Sequence, residues 1–244
     1  MDGSRRDVWV CGVRMASYEV GPEHGDQVVV VPGLCVASYL WPACDALARQ
    51  GFHVELVEPP GWPRSGRPRP EPADLAALAV YVEVWLDRRD LTDVLLVGQS
   101  VGAQLAAHVA ARAPDRVRAL VLQGPVFDPG LRTVSRSLGR WLLDFPREHP
   151  GLAAREIPEW LRVGPRRVAL VLRQSLRDRL EETVAAVRVP VTVVVGEHDT
   201  LSDEAWQASL ARPPAPPLVM PGVGHSAPHA APEAFAGLVA HVLR

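Results

Sequence analysis

Lysine is absent from the 244 residues, so all 26 basic side chains are arginine. That absence excludes a Schiff-base amine, a Walker-type phosphate loop and a Ser–Lys dyad. Cysteine is scarce. Cys11, Cys35 and Cys44 are an odd three with no CxxC spacing, which argues against a disulfide framework or a cysteine-held zinc. No apolar run approaches the roughly 20 residues of a bilayer span, and residues 1–10 lack the apolar stretch of a secretory signal. No membrane association is expected, and the cytoplasm is the expected compartment. Excess charge of either sign is also missing. A net charge of −2 leaves no bulk positive field to hold a nucleic-acid backbone, so no nucleic-acid partner is expected.

What is present is a globular composition, 48% hydrophobic and 22% charged, in a chain long enough to bury a core without staples. The length fits one large domain or two small ones. Proline is abundant, 24 of 244, against a usual share of about 5%. Together with the wealth of alanine, arginine and glycine, this reads as the imprint of a GC-rich bacterial genome rather than of a function.

Strand-like and helix-like stretches alternate along the first half. Residues 8–10 and 15–20 form an opening hairpin around Cys11-Gly12, and QVVVV at 27–31 has the unbroken β-branched character of a strand buried on both faces. Helices are expected over 39–50, 74–87 and 101–112, and further strands over 54–57, 94–97 and 119–122. From 129 to 187 the strand rhythm stops and helix-like segments follow, at 138–145, 155–163 and 166–186. It returns with VTVVV at 191–195, a helix near 203–210, a strand at 218–220 and a last helix at 232–243. The proline-rich piece 212–217 reads as a loop. Alternation of this kind predicts an α/β fold with a mostly parallel central sheet and helices on both faces. The core is 1–128 plus 188–244, and 129–187 is a small helical cap laid over one end. In such sheets chemistry gathers at the carboxyl ends of the strands.

Gly98-Gln99-Ser100-Val101-Gly102 directly follows the strand VLLV and opens an alanine-rich helix. A G-x-S-x-G run between strand and helix is a nucleophile elbow. The glycines leave room for the tight turn, Ser100 is held out at the sheet edge, and the Val101 N–H heads a helix where it can donate to an oxyanion. Serine needs a base held by an acid. Asp199 follows the strand VTVVV, His225 follows the strand LVM, and the order Ser…Asp…His suits this topology. Glu197, Asp203 and Asp128 remain alternative acids, and His198 and His229 alternative bases. His24, His53, His108, His149 and His241 read as solvent-facing or helix-surface residues. The second oxyanion donor falls in the loop after the first central strand, where Gly33 allows close approach and the Leu34 N–H is the candidate. Cys35 would lie nearby as a small apolar wall residue.

These motifs resemble those of α/β-hydrolase-fold proteins with a helical cap. The resemblance runs from about residue 8 to 243 and rests on VVVVPGLCVASYLW, VEPPGWPRSGRP, LLVGQSVGAQLAAHVA, VTVVVGEHDT and MPGVGHSAPHAAPEAF. The chain departs from the usual family pattern in carrying Pro32-Gly33 where His-Gly is common. It also carries Gly61-Trp62-Pro63-Arg64-Ser65 where a Gly-x-Gly-x-Ser turn is common. The resemblance implies hydrolysis through a Ser100 acyl-enzyme, with His225 as base, Asp199 as its orienting acid, and no metal or cofactor.

The substrate is expected to be a small, fairly apolar carboxylic ester or lactone. Trp41, Trp62 and Gln99 are candidate contacts. Trp141 and Trp160 either line an apolar pocket or form the core of the cap. The arginines 166, 167, 173, 177 and 179 read as a solvated face or as a dock for an acidic acyl carrier, which would favour a thioesterase or acyltransferase. A non-catalytic ligand-binding protein on the same fold is a third reading. A monomer or homodimer is expected.

Overall fold

An eight-stranded sheet organises the chain in the computed structural model, which describes residues 3–211 and 216–242. Residues 212–215 of the proline-rich loop and position 243 of the last expected helix lie outside the described residues. The strands are β1 (Ser4–Val10), β2 (Val13–Val20), β3 (Gln27–Val31), β4 (His53–Val57), β5 (Val94–Gln99), β6 (Val117–Gln123), β7 (Val191–Gly196) and β8 (Leu218–Met220), in the order β1-β2-β4-β3-β5-β6-β7-β8. β1 pairs antiparallel with β2 and β2 antiparallel with β4, and every later pairing is parallel. The opening hairpin closes through Cys11 and Gly12, both at positive φ (47° and 77°), the geometry that matches the twist of a two-residue hairpin.

The helices are α1 (Trp41–Arg49), α2 (Leu75–Arg88), α3 (Val101–Arg112), α4 (Val134–Asp144), α5 (Leu152–Val163), α6 (Pro165–Arg177), α7 (Leu180–Ala186), α8 (Glu204–Leu210), α9 (Ala227–Ala230) and α10 (Pro232–Val242). Side chains alternate across the sheet into two cores. Val29, Val31, Leu96, Leu120 and Val193 face one side with α2 and α3, while Val28, Val30, Leu95, Val97 and Val121 face the other with α1 and α10. Each buried aliphatic side chain contributes about 1.5–3 kcal/mol relative to exposure, which explains why the β-branched runs read as strands. No helix among the described residues is long and apolar enough to cross a membrane.

Between β6 and β7, after a loop over 124–133, the regular elements are all helical and include α4 to α7. The single helix expected over 166–186 is two. Asp178 is extended (φ −68°, ψ 146°) and its carboxylate lies 2.7 Å from His108 Nε2 on α3, which stops α6. His108 is therefore held by a partner, not simply solvated. His53 is buried on β4, with Nδ1 3.2 Å from the Pro22 carbonyl. Of the arginine set, Arg167 is buried rather than on the surface. It donates to the Pro60 carbonyl (2.6 Å) and pairs with Glu71.

The turn from β5 to α3 is packed against neighbouring backbone. A Cβ on Gly98 would lie 2.4 Å from the Gly102 carbonyl oxygen, and one on Gly102 would lie 2.2 Å from the Val31 oxygen and 2.6 Å from the Pro32 oxygen. A thermal melt is expected to find Gly102→Ala less stable than wild type by about 1–3 kcal/mol, the usual cost of overpacking. An unchanged Tm would contradict this packing.

Candidate active site

Ser100 sits between β5 and α3 with φ 56° and ψ −120°, a conformation that strains any residue with a Cβ and persists only where the surroundings enforce it. Its N–H donates to the Gln123 carbonyl at 2.9 Å, tying the turn to β6. The side chain lines a cavity of about 320 Å³, together with His225, Gln99, Gly33, Leu34 and Val101. α4, α5 and α6 roof this cavity through residues such as Trp141, Trp160 and Val168.

His225 Nδ1 lies 2.9 Å from Asp199 Oδ2. A carboxylate only accepts, so in the neutral ring Nδ1 carries the proton and Nε2 is left with the lone pair. The Asp199 side chain is almost wholly buried, and its other oxygen accepts from the Leu201 N–H at 2.9 Å. The Gln123 amide donates to the His225 carbonyl at 3.0 Å. Gly124, at φ 52°, makes room for the pair: a Cβ there would lie 2.9 Å from the imidazole and 3.2 Å from Asp199 Oδ2. Burial disfavours the imidazolium, but Asp199 outweighs it, with Asp144 and Glu148 adding to the effect, and the His225 pKa rises to about 9.

The alternative acids and bases have other partners or none. Glu197 accepts from the Gly222 N–H (2.7 Å), Asp203 caps α8 through the Trp206 N–H (3.1 Å), and Asp128 accepts from Gly130 and Asp203. His229 Nδ1 lies 3.0 Å from the Tyr39 carbonyl, and His198 is exposed.

The loop after β3 is pinned at two successive carbonyls. Trp62 Nε1 donates to the Gly33 oxygen and Trp160 Nε1 to the Leu34 oxygen, each at 2.8 Å. The Gly33 N–H donates to the Tyr39 hydroxyl at 3.0 Å, so the next donor along is the Leu34 N–H. The Val101 N–H is in the first turn of α3, where a helix leaves its own donors unsatisfied. Tyr39, having accepted from Gly33, donates to Gln99 Oε1. That turns the Gln99 amide nitrogen toward His225 Nε2, 3.5 Å away.

Three expected pocket residues are placed elsewhere. Trp62 is buried in the core, where its indole anchors Gly33 rather than touching the cavity. Trp41 packs against Tyr18 (centroids 5.7 Å apart), with the Arg64 guanidinium 5.3 Å from its ring. Cys35 is buried in the core at φ 54°, and burial pushes its thiol up to about 12, which makes it a poor nucleophile. Trp141 and Trp160 line the cavity, and their rings meet edge to face at 6.5 Å.

Sequence reasoning missed Tyr39 and three carboxylates of the cavity wall, Asp144, Glu148 and Glu156. Burial lifts the Glu148 carboxyl to about 7 and the Glu156 carboxyl to about 8. Nothing in the local pattern of α4, α5 and the connection between them separates these from ordinary surface acids.

Residues 26–155 match the family model of the alpha/beta hydrolase fold, and the chain belongs to that family. A haloalkane dehalogenase of Agrobacterium fabrum is 33% identical over 134 residues, 54% of this chain and 42% of the relative. The pimeloyl-[acyl-carrier protein] methyl ester esterase of Pseudoalteromonas atlantica is 25% identical over 215 residues, 77% of this chain and 81% of the relative. The chain spans less than half the length of the first curated relatives it matches. Among solved structures, Cfl2 of Burkholderia cenocepacia aligns with a TM-score of 0.80 at 20% identity, covering 98% of this chain and 95% of that one. CarC, a serine hydrolase of carbazole degradation, aligns at 0.78 and 19% identity, covering 99% and 98%. At these identities the structural likeness is one of fold.

The Glu156 carboxyl has a testable effect on stability. Its folded pKa is raised, so the folded state is favoured below the unfolded value, about 4.3, and loses that advantage as pH rises toward about 8. Glu156→Gln is expected to melt above wild type at pH 9, with the gap closing toward pH 4. A Tm difference independent of pH would overturn this assignment.

Proposed function

We propose that the chain is a serine hydrolase of the cytoplasm that cleaves a carboxylic ester or lactone of a small, fairly apolar substrate through an acyl-enzyme. The observation that carries this reading is the His225–Asp199 pair at 2.9 Å, opening on the cavity that Ser100 enters from its strained turn. His225 Nε2 takes the Ser100 proton as the oxygen attacks the acyl carbon, and then returns it to the leaving group. Asp199 holds the tautomer and offsets the imidazolium charge. The N–H groups of Leu34 and Val101 receive the developing oxyanion. The helices between β6 and β7 act as the cap, and Trp141, Trp160 and Gln99 contact the substrate.

The dehalogenase name of some relatives does not transfer. Attack of a serine oxygen on an alkyl halide leaves an ether that water does not release, whereas attack on an acyl carbon leaves an ester that a second attack reopens. A second reading, release of an acyl group from a carrier protein, is favoured by the exposed Arg166, Arg173, Arg177 and Arg179 and by the carrier-ester esterase among the relatives.

A fluorophosphonate probe is expected to label wild type but not Ser100→Ala, and turnover of short p-nitrophenyl esters should vanish in the same variant. Equal turnover by both proteins would sink the reading. Carrier thioesters cleaved far faster than oxyesters would move it to the second. The general base must be neutral, so kcat/KM for an uncharged ester should rise with pH and level off above about 9. Asp199→Asn is expected to move that limb to lower pH while reducing kcat.

A further inference from the structure

Apart from His225, which Asp199 already pairs, the ionisable side chains of the cavity are acidic. No arginine among the described residues lines the cavity, and its carboxylic acids are Asp144, Glu148 and Glu156. Asp144 is engaged with Thr200, through its N–H at 3.2 Å and its hydroxyl at 3.4 Å. Glu148 Oε1 accepts from the Ser226 N–H at 2.8 Å, next to the base, but Oε2 is buried and receives no donor. Asp144 is within bonding reach of Glu148, and that contact together with burial favours the protonated Glu148 carboxyl, which can donate to it. Glu156 makes no hydrogen bond or ion pair among the described residues. The nearby Glu159 is already satisfied by Arg64 and by the N–H groups of Ala37 (2.7 Å) and Ser38 (3.2 Å). Burying carboxylates without a cation is costly. The same wall presents Tyr39, Phe127, Trp141 and Trp160, and aromatic faces attract cations, most strongly where water is excluded.

We infer that the substrate carries a positively charged nitrogen, a primary or quaternary ammonium, seated between Glu148 and Glu156 against the aromatic wall of the Ser100 cavity. This assignment rests on the hydrolase reading for its chemistry but not for its binding. The cation sets a countercharge beside Glu148 Oε2 and Glu156, and a primary ammonium also donates a hydrogen bond to Oε2. It also offsets the carboxylate field on His225, so a charged substrate meets a less basic imidazole than an uncharged one. Among the described residues no three His, Cys, Asp or Glu side chains are placed to hold a metal ion, which directs the site to an organic cation.

The test pairs each trimethylammonium ester with its uncharged isostere, in which carbon replaces nitrogen. The charge is placed once in the alcohol, as choline butyrate against 3,3-dimethylbutyl butyrate, and once in the acyl group. At pH 8 at least one charged member is expected to exceed its isostere in kcat/KM by about tenfold. That ratio should fall toward one in Glu148→Gln and in Glu156→Gln. Ratios at or below one in both pairs, or ratios indifferent to both substitutions, would overturn the inference. If no ester is turned over, the hydrolase reading fails separately, and titration with phenyltrimethylammonium followed by tryptophan fluorescence decides the binding. Saturable binding weakened in both Gln variants supports the site, and absence of binding to wild type removes it.

Discussion

Around Ser100 three backbone segments approach so closely that side chains are excluded where they cross. The Gly98 and Gly102 positions touch neighbouring backbone, and the end of β3 lies directly beneath α3. A turn built this way cannot relax, so the positive φ of Ser100 is enforced by the packing of β3, β5 and α3 rather than by local preference. Much else follows. The loop leaving β3 starts beside the serine because Gly102 lets it pass there. The parallel neighbours β6, β7 and β8 then end on the same edge, delivering Gly124, Asp199 and His225 to one place.

The helices over the site are fastened by charge. Arg64 joins Glu58 on the core (2.9 Å) to Glu159 on α5, while Arg167 of α6 reaches back to Pro60 and Glu71. Glu58 is fully buried, and burial holds its carboxyl above the ordinary range despite the arginine beside it. Such pairs give little net stability once desolvation is counted, but losing one partner strands the other. Their effect is to fix where α5 and α6 sit. This matters because α5 carries both Glu156 and Trp160 into the cavity.

The sheet was legible because its signals are local: β-branched runs set the strands, Asp74 and Asp203 mark helix starts, and Gly12 marks the hairpin. Ser100, Asp199 and His225 stood out because each lies at, or within a few residues beyond, the carboxyl end of a strand. What stayed hidden depends on tertiary approach. Trp41 and Trp62 look like pocket walls from their loop positions, but one packs on Tyr18 and the other turns inward to the Gly33 carbonyl. Arg167 lies within an arginine-rich helix, and only the fold distinguishes it from exposed Arg166. Asp178, where α6 ends, meets His108 from 70 positions away. Asp144, Glu148 and Glu156 have the spacing of surface acids, and their inward aim is set by how the helices dock.

The bond from Trp160 to the Leu34 carbonyl ties α5, which roofs the cavity, to the loop after β3. One indole thus makes the wall of the cavity and the backbone at Leu34 a single mechanical unit, so a substitution that shifts α5 is passed on to Leu34 as well.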